Sequence, residues 1–286
     1  MEQKKLDLTI LAANYNNGPF LRAFIQSVLS SEKLPACLLI VDDGSTDESK
    51  KILKEFESLE IANFIYFENN KGFANALNKG IENVKTKYIM RADPDDIILP
   101  SKIEKQVDFL ENNPEIAGVG CNVAYFHSDK NKFLNRSNFP TDEKTITGLY
   151  FKGEHGLQHP TVMIRTEAFK IFRYIQENVP AEDYDIFARM IADGYRFLNL
   201  KEVLYNMRIH DSSASSNLAF NTIKKTYGLR KQIFGISTPK IKVRFNYLYI
   251  HFYRKFLIEN NFVLKYLFLV TSIFFHPSKL MKRLIK

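Results

Sequence analysis

Cysteine is scarce in this chain, with two among 286 residues, and tryptophan is absent. Cys37 and Cys121 both sit in apolar runs, Ala36-Cys37-Leu38-Leu39-Ile40 and Gly120-Cys121-Asn122-Val123. They read as buried thiols, which argues against a disulfide scaffold or a cysteine-built metal site and suits a reducing compartment. The N-terminus, Met1-Glu2-Gln3-Lys4-Lys5-Leu6-Asp7, lacks a long apolar stretch, so no secretory leader is expected and the acceptor triplet Asn135-Arg136-Ser137 reads as a chance match. No G-x-G-x-x-G follows the first apolar run and no G-x-x-x-x-G-K-[ST] occurs, which disfavours dinucleotide oxidoreductases and P-loop nucleoside triphosphatases. Acids are nearly missing from the C-terminal end. Residues 216–286 hold 14 Lys/Arg against one acid, Glu259, a charge of +13, whereas residues 1–215 hold 26 basic and 31 acidic residues, a charge of −5. A mildly acidic body, with the 45% hydrophobic content of a globular protein, therefore carries a strongly basic tail.

What is present is a regular alternation. Residues 6–13 form a buried strand ended by the turn cluster Asn14-Tyr15-Asn16-Asn17-Gly18-Pro19, and residues 20–31 carry apolar side chains at helical spacing. Residues 37–41, 64–67 and 88–90 are further apolar strands, separated by a helix bearing Ile52, Leu53 and Phe56 and another over 73–84. Ser45 and Glu48 have capping-box spacing for the first of these helices. Strand and helix alternating through short connections predict a parallel sheet wrapped by helices. In such sheets ligands sit beyond the carboxyl ends of the strands. The polar clusters at residues 14–17, 42–47, 69–72 and 93–96 stand at those ends, so four strands deliver polar groups to one rim.

The densest cluster is Arg91-Ala92-Asp93-Pro94-Asp95-Asp96. Three carboxylates in four positions repel one another, so either solvent or a bound cation is expected beside them. Asp93 and Asp95, two residues apart, are hard oxygen ligands that can hold Mg²⁺ or Mn²⁺ and leave places for phosphate oxygens. Read alone, the cluster serves equally well as an acidic turn before a helix, with Asp96 or Ser101 as cap. Asp43 suits a base imide N–H or a ribose hydroxyl, because an ionised carboxylate only accepts.

Four stretches together resemble the family 2 glycosyltransferases: Ile10-Leu11-Ala12-Ala13-Asn14-Tyr15-Asn16, Val41-Asp42-Asp43-Gly44-Ser45-Thr46-Asp47, Asn70-Lys71-Gly72 with Ala76-Leu77-Asn78-Lys79-Gly80-Ile81, and the acidic cluster. The resemblance implies an α/β protein of the GT-A fold, a Rossmann-like, mostly parallel sheet flanked by helices. It implies an inverting, metal-dependent enzyme of the hexosyltransferase type, using a nucleotide-diphospho-sugar (a UDP-sugar favoured) with Mn²⁺ or Mg²⁺. Ala13, Asn14, Asp43, Gly72 and Asn78 then line the donor site, Asp93 is shared between nucleotide and metal, and Asp95 binds the metal. Pro94 replaces the small residue usual inside the D-x-D, fixing φ and removing a donor. Glu182-Asp183-Tyr184-Asp185 by pattern alone reads as carboxylates at a helix start, where the dipole favours them. It also matches the element that carries the family's catalytic base, which assigns that role to Asp183 and a supporting or acceptor-contacting role to Glu182. Displacement at an anomeric carbon needs such a carboxylate to take the acceptor's proton. Arg208 and His210 lie in a stretch resembling the family's terminal strand; Arg208 suits the diphosphate and His210 the metal or phosphate. The Gln-x-x-Arg-Trp element of processive synthases cannot occur without tryptophan, so a single sugar is expected to be added.

The rest of the chain is read more coarsely. A helix is expected over 101–112, a strand over 117–126, and an irregular polar segment over 127–147 with Asp129-Lys130-Asn131-Lys132 as a surface excursion. His155 and His159 are four apart, but Gly156 and Pro160 break a helix, which argues against a zinc pair; Thr161-Val162-Met163-Ile164-Arg165 resembles the strand that follows this loop in the family, which implies a loop lining the sugar pocket. The expected divisions are a nucleotide-sugar-binding half over 1–125, an acceptor half over 126–215, and a tail over 216–286. In the tail Ile241, Phe245, Leu248, Phe252 and Phe256 share a helical face, although strand alternation over 241–249 also fits. The apolar run over 262–275 is short for a bilayer span at about 1.5 Å per residue. Lys279, Lys282, Arg283 and Lys286 end the chain. Basic, apolar and aromatic together, the tail suits an anionic membrane surface rather than nucleic acid. The enzyme is then expected in the cytoplasm, peripheral on the inner face of the cell membrane, adding a sugar to a glycan or lipid-linked acceptor. The other reading of the tail is a helical pair packed on the body or on a dimer partner. Alternative functions are a sugar-phosphate nucleotidyltransferase, which wants a glycine-rich loop where Asn14-Tyr15-Asn16-Asn17 stands, and a non-catalytic sugar-nucleotide or membrane-binding module.

Overall fold

A computed structural model describes residues 5–127, 132–210, 219–259 and 261–277. Its contacts divide the chain into two units, Met1–Ser212 and Ser213–Lys286. In the first, the elements run β1 (Leu6–Asn14), α1 (Gly18–Leu29), β2 (Pro35–Asp42), α2 (Ser49–Glu55), β3 (Ala62–Tyr66), α3 (Phe73–Asn83), β4 (Tyr88–Arg91), β5 (Ile97–Ile98), α4 (Lys102–Asn112), β6 (Gly118–His127), β7 (Lys132–Arg136), α5 (Glu143–Phe151), β8 (Met163–Arg165), α6 (Thr166–Ile171), α7 (Glu182–Ala192) and β9 (Phe197–Ile209).

One sheet of order β3-β2-β1-β4-β8-β6-β9-β5, with β7 paired to β6, organises this unit. β3, β2, β1 and β4 are parallel. β8 is antiparallel to both β4 and β6, and β6 runs parallel to β9. Leu8, Ile10 and Leu11 are all buried. That is why the first strand reads as a continuous apolar run: both faces of a helix-covered parallel strand are core. α1 buries Leu21, Phe24, Ile25 and Val28, and α4 buries Ile103, Val107 and Leu110. On α3, Gly80 lets the helix approach β1 closely, since a Cβ there would overlap the Leu11 side chain.

β9 matters most for the site. It pairs with β6 from Gly118↔Phe197 to His127↔Ile209, and near its end with β5 at Ile97↔Asn206. The second pairing draws the end of β9 alongside the acidic loop that separates β4 from β5.

Residues 127–147 depart from expectation. β7 forms a hairpin with β6, and α5 begins at Glu143 with the Asp142 side chain accepting from Thr145 N–H at 2.8 Å. The polar composition hid a strand whose Phe133 and Leu134 are both exposed. The capping box is also corrected. α2 starts at Ser49 without a side-chain cap from Glu48, because Ser45 is engaged elsewhere, as described below. Cys37 is half-buried and Cys121 buried, and both are free thiols.

The second unit contains α8 (Phe220–Phe234), α9 (Lys240–Ile258) and α10 (Phe262–Phe275). Residues 241–249 are helical, so the strand alternative falls. α9 and α10 pack through aromatic rings, with Phe252 against Phe268 and Phe275, Phe245 against Phe275, and Phe256 against Tyr266. The face of α10 bearing Val263, Leu267, Val270 and Phe274 is 56–79% exposed. No helix among the described residues is long and apolar enough to cross a membrane. The basic end at Lys279, Lys282, Arg283 and Lys286 lies outside the described residues, as does the Asp129-Lys130-Asn131 part of the surface excursion.

Candidate active site

The rim at the strand ends is built by side chains bonding the backbone of neighbouring loops. Asn14, fully buried at the end of β1, donates through Nδ2 to Asp42 Oδ2 at 2.8 Å and to the Ser45 hydroxyl at 3.2 Å. Ser45 Oγ also accepts from Asn16 N–H, and Asn16 Oδ1 accepts from Thr46 N–H at 2.8 Å. Ser45 thus ties two loops together. Ala13, one residue earlier, is buried at the strand end. Asp43 is 2% exposed, and its two oxygens accept from Lys71 N–H (2.7 Å) and Gly72 N–H (2.9 Å). Gly72 has φ +96°, and a Cβ there would overlap the Gln176 side chain. Gln176 Oε1 accepts from Ala74 and Asn75 N–H, the first donors of α3. These donors are thereby satisfied within the protein and not left as a phosphate cradle. Asn78 clasps the Tyr174 backbone at both ends, donating to its carbonyl at 2.8 Å and accepting from its N–H at 2.9 Å. It therefore holds the segment that carries Gln176.

The acidic cluster is a tight turn. Asp96 N–H bonds Asp93 O at 3.2 Å, which places Pro94 second in a four-residue turn, where a fixed φ is favourable and no N–H is needed. The turn brings one oxygen each of Asp93, Asp95 and Asp96 within 4.8 Å of one another. Charges and donors surround this trio. The buried Arg91 guanidinium reaches Asp93 Oδ1 at 2.5 Å and lies over the Phe73 ring. Asp93 N–H donates to the Tyr205 hydroxyl, and Asp96 Oδ1 accepts from Arg208 N–H at 2.7 Å. Arg208, held against the Phe20 and Phe126 rings, donates from Nε to the Asp95 carbonyl at 2.7 Å. His210 Nε2 lies 2.9 Å from Asp95 Oδ2. Desolvation raises the Asp96 carboxyl well above its ordinary value, with Asp95 and Asp93 adding to it. Desolvation also raises Asp93, with Asp95 and Asp183 reinforcing and Arg91 opposing.

A second carboxylate pair heads α7. Glu182 Oε2 is buried without a hydrogen-bond partner. Asp183 Oδ1 accepts from Tyr184 N–H at 2.7 Å, and Oδ2 lies 3.5 Å from His155 Nδ1. The two histidines of the 153–160 loop have different partners. His159 is buried and shares a 2.6 Å hydrogen bond with the Tyr174 hydroxyl, and burial drives its pKa well below the ordinary value. It is a neutral packing group.

The same order of elements and motifs appears in known proteins. Residues 9–173 match the family model described as glycosyl transferase family 2. The chain belongs to that family. Over 214 residues this glycosyltransferase is 30% identical to an uncharacterized glycosyltransferase of Methanocaldococcus jannaschii, covering 73% of this chain and 72% of that protein. It is 28% identical over 236 residues to the O-antigen biosynthesis glycosyltransferase WbnJ of Escherichia coli, covering 81% and 91%. Among solved structures, S. aureus TarS 1–349 in complex with UDP-GlcNAc superposes with a TM-score of 0.65 at 15% identity, covering 96% of this chain and 82% of that one. This likeness gives the fold, GT-A with C-terminal helices.

Two residues of this glycosyltransferase that shape the rim escaped sequence reasoning. Tyr205 and Gln176 act on partners 112 and 102 positions away in the chain, and nothing in their local pattern marks them. Asp96, read in the sequence as one of three crowded carboxylates or as a helix cap, contributes an oxygen to the trio. The trio fits a hard divalent cation. Its donors are all carboxylate oxygens, Asp93 and Asp95 are partly open, and desolvated carboxyls with raised pKa values are those a cation would return to the ionised form. His210 adjoins the trio through Asp95.

Burial, with Asp183 and Asp93 adding to it, pushes the Glu182 carboxyl from 4.5 up to about 7. A carboxyl raised on folding holds its proton more tightly in the native state, so native stability falls as pH climbs through that interval. Without added metal, Glu182→Gln should therefore be more stable than the parent at pH 8, by on the order of 2 kcal/mol, with the difference vanishing near pH 4. Urea midpoints at the two pH values measure this, and equal midpoints at pH 8 would contradict it.

Proposed function

We propose that this glycosyltransferase moves a single sugar, with inversion, from a nucleotide-diphospho-sugar to a glycan or lipid-linked acceptor in bacterial surface polysaccharide assembly. The observation that carries this reading is an oxygen trio at the end of β4 together with a separate carboxylate, Asp183, near enough to Asp93 to oppose its ionisation. The relatives agree with the setting: WbnJ is named for O-antigen biosynthesis and TuaG of Bacillus subtilis for teichuronic acid biosynthesis. A UDP-sugar is favoured, since TarS was solved with UDP-GlcNAc; a GDP-mannose and Mn²⁺ complex is described for a mannosyltransferase of Pyrobaculum calidifontis that superposes with a TM-score of 0.57.

On this reading Asp93, Asp95 and Asp96, with His210 beside them, hold Mn²⁺ or Mg²⁺. When bound, the cation neutralises charge on the departing diphosphate. Arg208 directs its fork of donors to the same phosphates. Asp43, already fixing the 71–72 backbone, forms the nucleoside end of the site together with Ala13, Asn14 and Gly72. Asn78 acts through Tyr174 and not by touching the donor. Asp183 takes the acceptor hydroxyl proton as that oxygen bonds to the anomeric carbon and the bond to the diphosphate breaks. Glu182, with its pKa raised to about 7, is protonated in a large share of molecules near neutrality and in that form can donate to a sugar hydroxyl.

The second unit is read as the membrane contact. Residues 216–286 carry +13, and the outer face of α10 exposes Val263, Leu267, Val270 and Phe274. A helix of this kind lies in the plane of an anionic surface, apolar face inward, which supports reading the enzyme as peripheral on the cytoplasmic face of the cell membrane.

Two experiments test these assignments. Asp183→Asn should lower transfer by at least about 100-fold while leaving nucleotide-sugar binding unchanged, as measured by product formation and by calorimetric titration; full activity would remove the base assignment. Leu267→Asp with Val270→Asp should reduce cosedimentation with phosphatidylglycerol-containing vesicles several-fold, and unchanged sedimentation would end the membrane reading.

A further inference from the structure

We infer that His155 is a positioning residue for the acceptor side, fixing the aim of the Asp183 carboxylate; this rests on the reading of Asp183 as the base. The two oxygens of Asp183 have different surroundings. Oδ1 is tied to the Tyr184 N–H at 2.7 Å, whereas Oδ2 faces His155 Nδ1 at 3.5 Å. Oδ2 is thus the oxygen left to meet an incoming hydroxyl, and the imidazole stands beside it. A separation of 3.5 Å is long for a hydrogen bond, but such contacts commonly tighten once substrate fills the site. The His155 and Asp183 side chains are 39% and 32% exposed, so the pair is open to an acceptor.

The fold holds this histidine in place. Its ring stands edge-on to Tyr150 and Tyr184, 6.4 and 5.7 Å between centroids. Those two tyrosines pack ring to ring, and the Tyr184 hydroxyl donates to the Tyr150 carbonyl at 2.6 Å. The loop folds back on α5: Gly153 N–H reaches Tyr150 O, Glu154 N–H reaches Leu149 O, and Gly153 takes a positive φ of 75°. Gly156 presses on Ile146, where a Cβ would come within 2.9 Å of its Cα, and Asn199 Nδ2 donates to the Gly156 carbonyl at 2.9 Å. A loop anchored at both ends by backbone bonds presents one polar ring to one carboxylate.

The charge pattern gives that ring a task. Around Asp183 stand Glu182 on the same helix and Asp93 across the cleft, with Glu154 next to His155 in sequence. Arg91 is paired with Asp93, and the nearby His159 is neutral. An N–H donor or imidazolium beside one of several crowded carboxylates offsets part of their mutual repulsion. Without His155, Asp183 Oδ2 would lose that neighbour and be less well aimed.

His155→Phe keeps the ring packing and removes the donor, and His155→Asn restores an N–H. Transfer would be followed with donor and acceptor varied separately, with nucleoside diphosphate binding in Mn²⁺ and thermal unfolding measured on the same samples. The Phe variant is expected to bind nucleoside diphosphate and to unfold as the parent does, and to lose about tenfold or more in kcat at an unchanged donor KM, with the Asn variant recovering most of the loss. A Phe variant with the parent's kcat would overturn the inference. So would a loss of kcat with no recovery in the Asn variant, the pattern of a purely structural role. Full activity of Asp183→Asn, run alongside, would instead show that the base assignment had failed.

Discussion

Asp93, Asp95 and Asp96 present oxygens within 4.8 Å of one another, a repulsion that the surrounding chain must restrain. Two devices do so. The turn closed by Asp96 N–H and pre-set by Pro94 fixes the backbone, and β9 supplies the partners: the Tyr205 hydroxyl to Asp93 N–H, Arg208 N–H to Asp96, Arg208 Nε to the Asp95 carbonyl and His210 to the Asp95 carboxylate. Arg91 adds a buried positive charge on Asp93. The pairing of β9 with β5 is the step that makes this possible, because it lays the last strand against the loop that ends the fourth. What remains is a carboxylate cluster in which burial raises the Asp93 and Asp96 carboxyls, an arrangement that suits a cation.

The parallel part of the sheet, β1 to β4, was legible because its information is local. Buried parallel strands read as short apolar runs, each followed by a polar cluster at the carboxyl end, and the four clusters fall on one rim as the alternation requires. Asp43, Asp93, Asp95 and Asp183 all lie at element ends that periodicity alone could place. Pro94, opaque in the sequence, becomes intelligible as the second residue of a turn.

What was not legible is the pairing of side chains across long stretches of chain. Gln176 with the Ala74 and Asn75 backbone, Asn78 with the Tyr174 backbone and His155 with Asp183 each join residues whose neighbours give no sign of the partner. Asn78 illustrates the consequence: it stands in a donor-site motif, yet both ends of its side chain hold the Tyr174 backbone. Ser45 is the converse case, a residue with capping-box spacing that is drawn instead into the Asn14 and Asn16 network. The hairpin strand β7 and the start of α5 were hidden by polar composition, since an exposed strand has no buried face to pattern.

A metal–diphosphate role for the carboxylate trio is tested directly by calorimetric titration of UDP, GDP and dTDP, with and without Mn²⁺, into the parent and into Asp95→Asn. At least one nucleoside diphosphate should bind the parent only when Mn²⁺ is present, and Asp95→Asn should lose that metal-dependent binding while remaining folded. Binding of equal strength with and without metal, in parent and variant alike, would contradict the account.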